Sequence, residues 1–314
     1  MAGGPQSHGF PEVPGRPDLM PGFTWYDVPT GPDAVRIRTA VGGEGPPLLL
    51  LHGHPQTHLT WHLVAPRLAE HRTVVASDLR GYGDSAKPGT DRPGADPNHG
   101  TYSKRAMAAD QVALMRALGH ERFAVVGHDR GGRVAHRMAL DHPDAVERLA
   151  VLDIAPTATM YARTDADFAR RYFWWFFLIQ DHPLPERLIG GDPDYFLDTH
   201  VAGQMKVAGV APAVMEEYRR CYHDPRTRHA ICEDYRAAAG IDLEHDLADA
   251  SARVAAPLLA LWGALGTVGI TYDVLETWRE KATDVSGTAL PCGHCPQEEV
   301  PDALGAALLE FLAG

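Results

Sequence analysis

The stretch from Ala124 to Leu140, AVVGHDRGGRVAHRMAL, is the segment that most directly indicates the fold. An apolar run ends at Gly127 and a segment of helical character begins a few residues later, which predicts a strand, a tight turn and a helix. The turn has the pattern Gly-x-Asp-x-Gly, and such a turn can present its central side chain, here Asp129, as a nucleophile. Because aspartate also commonly caps a helix N-terminus, the pattern needs support from the rest of the chain.

Short apolar runs alternate with helical segments on both sides of this turn. AVRIRTAV (34–41) alternates polar and apolar residues, as a half-buried strand does. A continuous apolar run, typical of a strand buried on both faces, occurs in PLLLL (47–51). Shorter segments that also predict strands are RTVVAS (72–77), RFAVVGH (122–128), VERLAVL (146–152), PLLALWG (257–263) and GTAL (287–290). Helical spacing occurs between them and at the C-terminal end, in YSKRAMAADQVALMRALGH (102–120), GGRVAHRMALDHP (131–143) and PDALGAALLEFLA (301–313). The alternation predicts an α/β fold with a mostly parallel sheet covered on both faces.

The alternation fails between residues 156 and 240, where the sequence is aromatic and helical, as in RRYFWWFFLIQ (170–180). An insertion at this point would lie above the carboxyl edge of the sheet, where ligands bind in open α/β folds. We therefore expect a core formed by residues 22–155 and 241–314, a helical cap at 156–240, and a loose N-terminal arm at 1–21, which is rich in Gly and Pro.

The composition bounds the possible partners. The chain of 314 residues has 41 acidic and 29 basic side chains, a formal charge of −12, so neither nucleic acid nor an anionic membrane is an expected partner. There is no apolar run of the length that a membrane span requires. Four cysteines without a disulfide framework favour a cytoplasmic location. We expect no cofactor.

Two further residues complete a catalytic set with Asp129. His294 follows the last predicted strand, and Asp153 ends the strand after the nucleophile turn, where its carboxylate could orient the imidazole. Asp273 is a poorer alternative for this acid. The loop LHGHP (51–55) is placed to form an oxyanion hole, with the backbone N–H groups of His54 and Arg130 as donors.

Arg130 and Arg133 lie in the first turn of the predicted helix. Cations oppose the helix dipole there and repel each other, at a cost of a few tenths to about 1 kcal/mol for each effect. An ion pair between Asp129 and Arg133 could compensate one of these charges. A small carboxylate substrate would balance the surplus, because the guanidinium fork pairs with both carboxylate oxygens.

Two other patterns suggest metal or redox chemistry. CGHC (292–295) brackets His294 and has no second ligand pair of matching spacing. The histidines of the run from 52 to 62 do not form an HExxH motif. We therefore predict no metal site.

Much of the chain resembles the fluoroacetate (haloacetate) dehalogenases of the α/β-hydrolase superfamily. The resemblance runs from about residue 22 to the C-terminus, and it rests on LLLLHGHPQTHLTWHLVAPRLAE (48–70), DLRGYGDSAKP (78–88), GHDRGGRVAHRMALDHP (127–143), LAVLDIAPT (149–157) and RTRHAICEDYRAAAG (226–240). An arginine directly after the nucleophile marks the branch that acts on acids.

The resemblance implies Asp129 as nucleophile, His294 as base with Asp153 as its partner, and Arg130 and Arg133 as ligands of the substrate carboxylate. It also implies a homodimer. The halide-binding residues would be Trp175, Tyr235 and Trp174, and Trp174 stands where the family has histidine. The implied reaction converts a short 2-halo acid to the 2-hydroxy acid and halide through an ester on Asp129. Chloroacetate and bromoacetate are the expected substrates, and Trp174 leaves defluorination open.

Two alternatives remain at the level of sequence. An epoxide hydrolase could use Asp129, Asp153 and His294, but it needs two cap tyrosines as acids and leaves Arg130 unexplained. A small-acid binding protein without turnover could share the fold, although the complete set of Asp129, Asp153 and His294 argues against it.

Overall fold

A nine-stranded sheet forms the centre of the computed structural model, which describes residues 9–313. The strands are β1 (Glu12–Val13), β2 (Phe23–Thr30), β3 (Val35–Gly42), β4 (Pro47–Leu51), β5 (Thr73–Ser77), β6 (Phe123–His128), β7 (Val146–Leu152), β8 (Leu258–Gly263) and β9 (Val285–Leu290). Their order across the sheet is β1-β2-β3-β5-β4-β6-β7-β8-β9. The pairs β1–β2, β2–β3 and β3–β5 are antiparallel, and the other pairs are parallel. The predicted mostly parallel sheet is confirmed.

The central strands are rich in apolar residues because they are covered on both faces. All six residues of β6 and the four leucines of β4 are buried. β1 and β2 were not predicted, since FTWYDVPT (23–30) has neither a continuous apolar run nor a clean alternation.

The helices connect the strands and fill one long insertion. Those of the core are α1 (Ala65–Ala69), α2 (Lys104–Ala117), α3 (Arg130–Asp141), α12 (Thr267–Thr271), α13 (Val274–Arg279), α14 (Pro296–Glu299) and α15 (Pro301–Ala313). Between β7 and β8 lie α4 (Thr157–Ala162), α5 (Ala166–Arg171), α6 (Phe173–Phe177), α7 (Leu184–Gly191), α8 (Pro193–Gln204), α9 (Pro212–His223), α10 (Pro225–Ala239) and α11 (Ile241–Ala248). The helical insertion is therefore present, and helices continue to Ala248. Among the described residues, no helix combines the length and apolarity needed to cross a bilayer.

The start of the described chain is tied to the sheet. β1 pairs with Trp25 and Tyr26 of β2, and Met20 is fully buried. The expectation of a loose arm is therefore wrong for residues 12–20, because strand pairing and apolar burial hold them. Residues 1–8 of the predicted arm lie outside the described part of the chain.

Glycines bring the β6–α3 turn against the end of β4. The N–H of Gly131 donates to the carbonyl oxygen of His52 at 2.9 Å. A Cβ at Gly131 would lie 2.4 Å from that oxygen, and one at Gly127 would lie 2.4 Å from the carbonyl oxygen of Gly131. These contacts involve backbone atoms, which cannot move aside as a flexible side chain can. The close approach places the His54 loop next to Asp129.

We predict that Gly131→Ala destabilises the protein by about 1–3 kcal/mol, because the added methyl group overpacks a backbone contact. Urea unfolding measures the change. Gly191→Ala is the matched control, since a Cβ there has no neighbour within 4 Å. Equal unfolding midpoints for the two variants would contradict the packing argument.

Candidate active site

Asp129 occupies the tip of the turn between β6 and α3. Its backbone has φ 44° and ψ −113°, a strained conformation for a residue with a side chain. Such strain persists only where the surroundings impose it, and it is concentrated at functional sites. Here it directs a carboxylate into the space between the sheet and the helical insertion.

The Asp129 carboxylate is buried but ionised. Burial raises its pKa, but the positive charges of His294, Arg130 and Arg133 lower it by more, so the pKa lies well below its usual range. The backbone N–H of His54 donates to Oδ2 at 3.1 Å. The predicted oxyanion donor thus already contacts the nucleophile. The N–H of Arg130, the other predicted donor, belongs to the first residue of α3, where backbone N–H groups have no partner within the helix.

His294 and Asp153 form a buried hydrogen-bonded pair. Nδ1 of His294 lies 2.6 Å from Oδ2 of Asp153, and the N–H of Gly263 donates to Oδ1 at 2.9 Å. Because the carboxylate accepts, Nδ1 carries the proton and Nε2 of the neutral ring has a free lone pair. Asp273, the poorer alternative, is exposed and caps α13 by accepting from the N–H of Glu276 at 3.0 Å.

The environment of His294 favours the protonated ring. Burial lowers its pKa, but the hydrogen bond to Asp153 and the charges of Asp153 and Asp129 raise it by more, so the pKa lies above its ordinary value. The backbone of His294 is also held on two sides. Its carbonyl oxygen lies 2.8 Å from Nε2 of His128, and its N–H donates to the carbonyl oxygen of Gln204 at 3.1 Å.

Arg130 is fully buried and held by Asp234 of α10. Its Nε and Nη2 donate to the two carboxylate oxygens, both at 2.8 Å. Lys104 and the hydroxyl of Tyr82 donate to the same carboxylate. The guanidinium carbon lies 4.1 Å from the centre of the Tyr235 ring. Nη1 of Arg130 is buried and has no hydrogen-bond partner among residues 9–313.

Arg133 is buried without a carboxylate partner in the described chain, so the ion pair with Asp129 considered from the sequence does not form. Its Nη1 donates to the carbonyl oxygen of Ala155 at 3.2 Å and to Oγ1 of Thr157 at 2.9 Å. Its Nε is buried with no partner among the same residues. Two cations beside Asp129 thus each retain an unpaired N–H donor, and such donors are costly unless a ligand pairs with them.

Trp175 and Tyr235 lie beside the two arginines, whereas Trp174 packs against His200. The Trp175 and Tyr235 ring centres are 6.5 Å apart, and the Arg133 guanidinium lies 4.8 Å from the Trp175 ring. Trp174 is half-buried and packs edge-on against His200 of α8, with 4.5 Å between ring centres. Trp174 therefore does not lie with Trp175 and Tyr235, the other two halide-binding residues that the family resemblance implies.

The His54 side chain links two tyrosines of the helical insertion. Its Nε2 lies 3.1 Å from the Tyr222 hydroxyl, and its Nδ1 lies 3.4 Å from the Tyr235 hydroxyl. Burial lowers the pKa of His54 to about 3, so the ring is neutral. One hydroxyl therefore donates to the ring and the other accepts from it.

A cavity of about 600 Å³ opens onto this site. Its lining includes Trp174, His200 and Gln204 from the insertion and His294 from the core. Sequence reasoning missed His200, Gln204, Asp234 and Lys104. Asp234 could have been identified from the sequence, because it directly precedes Tyr235 in CEDYR (232–236). His200 carries no local signal.

The chain matches the sequence profile of the α/β hydrolase fold family over residues 46–301. It is 47% identical to a fluoroacetate dehalogenase from Burkholderia sp over 89% of this chain and 91% of the relative. It is 34% identical to a soluble epoxide hydrolase from Corynebacterium sp. over 88% and 94% of the two chains. A crystal structure of a Salmonella enterica protein shares 58% identity and superposes with a TM-score of 0.92 over 96% of this chain and 98% of that chain. The chain is therefore a hydrolase that belongs to the dehalogenase family of the α/β-hydrolase superfamily.

Proposed function

We propose that this protein hydrolyses the carbon–halide bond of a short 2-halo carboxylic acid and releases the 2-hydroxy acid and halide. One observation carries the proposal. A buried, ionised carboxylate, Asp129, lies beside two buried arginines, and each arginine has one nitrogen donor without a partner among residues 9–313. A substrate that carries its own carboxylate supplies the missing acceptor.

In the first step Asp129 attacks the α-carbon of the substrate. A carboxylate oxygen forms the new C–O bond as the C–X bond breaks, and the halide leaves with the bonding electron pair. Nη1 of Arg130 and Nε of Arg133 hold the substrate carboxylate. Asp234 contributes indirectly, because it fixes the Arg130 guanidinium through two hydrogen bonds.

In the second step Nε2 of His294 takes a proton from water, and the hydroxide attacks the ester carbonyl carbon of Asp129. The N–H groups of His54 and Arg130 stabilise the oxyanion. Collapse expels the 2-hydroxy acid, whose alkoxide takes the proton from His294. The proton left on the Asp129 carboxyl group then passes to His294 and to solvent, which restores the carboxylate. A serine nucleophile would form an ether with the saturated carbon, and this histidine could not hydrolyse it.

Two observations favour an epoxide hydrolase as the second candidate. The epoxide hydrolase from Corynebacterium sp. is a relative over most of the chain, and Tyr222 and Tyr235 both contact the His54 ring near Asp129. In this candidate Tyr222 would serve as the second cap tyrosine, which the sequence did not identify. The unpaired N–H groups of Arg130 and Arg133 favour an acid substrate instead.

The cytoplasmic location and the homodimer stay predictions.

We predict that the wild-type protein releases halide from chloroacetate and bromoacetate and that Asp129→Asn abolishes this release, because an amide is too weak a nucleophile. Ion chromatography of the released halide measures the activity. The same two proteins are assayed with styrene oxide. Diol formation without halide release would support the epoxide hydrolase instead.

We predict that His294→Gln still forms the ester but cannot hydrolyse it. Intact-protein mass spectrometry after incubation with chloroacetate should show one added carboxymethyl group per chain, located on Asp129 by peptide mapping. The double variant with Asp129→Asn is the control and should stay unmodified. An unmodified single variant would contradict the two-step mechanism.

We predict that halide release at saturating chloroacetate falls as the pH decreases, because only the neutral His294 ring can take a proton from water. The hydrogen bond that His294 donates to Asp153 raises the pKa of His294. Asp153→Asn should therefore slow the reaction and also move the acidic limb of the pH profile to lower pH. Asp129 adds no limb near neutral pH, since its pKa is held well below its usual range. An acidic limb that moves to higher pH in Asp153→Asn would contradict this assignment.

A further inference from the structure

His200 of α8 stands inside the site although nothing in the sequence singles it out. Its ring centre lies 4.7 Å from that of His54 and 4.5 Å from that of Trp174, and its side chain is 5% exposed. It lines the same cavity as His294. An imidazole thus lies between the loop that contacts Asp129 and the aromatic wall of the cavity.

A neighbouring amide determines which nitrogen of His200 carries the proton. Nε2 of Gln204 lies 3.0 Å from Nε2 of His200. The amide nitrogen can only donate, so the ring nitrogen accepts and the proton of the neutral ring is on Nδ1. Burial and the nearby His54 lower the pKa of His200 well below its ordinary value, which keeps the ring neutral. The backbone of Gln204 is held in place, because its main-chain carbonyl oxygen accepts from the N–H of His294.

The Nδ1–H of His200 has no acceptor within the described chain. The atom is buried, and residues 9–313 offer it no hydrogen-bond partner. A buried donor without an acceptor is rare in folded proteins and calls for an explanation such as a ligand. Among residues 9–313 the site therefore has three buried nitrogen donors without partners: Nη1 of Arg130, Nε of Arg133 and Nδ1 of His200.

The proposed reaction has two anionic groups to bind. Arg130 and Arg133 lie together against Trp175 and Tyr235 and match the substrate carboxylate, which needs a bidentate cationic partner. The other anion is the halide that develops charge as the C–X bond breaks. A neutral donor suits this group, because it stabilises the developing charge and still allows the product ion to leave.

We propose that the Nδ1–H of His200 donates a hydrogen bond to the leaving halide. This inference rests on the proposed function. Nδ1 keeps its proton, and the halide departs with the electron pair of the C–X bond. Because charge density is highest on fluoride and lowest on bromide, the contribution of His200 should be largest for fluoroacetate and smallest for bromoacetate.

The test compares His200→Leu, which removes the donor, with His200→Asn, whose amide N–H can replace Nδ1–H. Halide release is measured with fluoroacetate, chloroacetate and bromoacetate. We expect His200→Leu to lower kcat by roughly tenfold to a hundredfold for the substrate with the smallest halide turned over, the loss expected for one hydrogen bond to a charged group. The loss should decrease towards bromoacetate, and His200→Asn should recover part of it. His223→Leu, an exposed histidine at the end of α9, is the matched control and should behave as wild type.

A structural role for His200 predicts a different result. Poor packing would lower the rate equally for all three substrates, with no recovery in His200→Asn, and this outcome would overturn the proposal. Absence of halide release from the wild-type protein would instead contradict the proposed function itself.

Bromide binding gives a readout that does not depend on turnover. Tryptophan fluorescence of the Asp129→Asn variant is followed during titration with bromide, since Trp174 contacts His200. We expect saturable binding that weakens when His200→Leu is added, by a smaller factor than the loss of kcat for the substrate with the smallest halide. Equal bromide affinity with and without His200 would overturn the assignment even if the protein is a dehalogenase.

Discussion

The ionised carboxylate of Asp129 sets the conditions that the surrounding structure meets. A buried carboxylate would ordinarily take up a proton, because the charged form loses its hydration. Here His294, Arg130 and Arg133 supply enough positive charge to keep it ionised. Those cations must in turn be buried near one another, which is unfavourable unless each is compensated. The arrangement of charges around the turn between β6 and α3 follows from this requirement.

The two arginines are compensated in different ways. Arg130 pairs with Asp234, a carboxylate that it shares with Lys104, and Lys104 also pairs with Asp242. Arg133 has only neutral acceptors and the ring of Trp175. Both arginines therefore keep a buried nitrogen donor that has no partner among residues 9–313. These donors explain how a protein with a net charge of −12 can bind a small anion at one place.

The helical insertion supplies most of the contacts that shape the site. Asp234 and Tyr235 come from α10, His200 and Gln204 from α8, and Trp175 from α6. The core contributes Asp129, Arg130 and Arg133, the pair of His294 and Asp153, and the backbone N–H groups. Because the proposed catalytic residues lie on the core and His200 and Trp174 lie on helices above it, we expect changes in the insertion to alter the accepted leaving group and leave the catalytic set intact.

Local sequence patterns determined the mostly parallel sheet, the nucleophile turn and the partnership of Asp129, Asp153 and His294, because each depends on a short run or on chain order. The prediction of a loose arm was wrong for residues 12–20. A strand of two residues and the burial of Met20 hold this segment, and neither produces a periodic pattern in the sequence. Only the folded chain shows that Arg130 is held by Asp234, 104 residues away, that Trp174 packs against His200, and that the Gln204 amide lies 3.0 Å from the His200 ring. These features depend on how helices distant in sequence meet above the sheet, and no local pattern encodes that geometry.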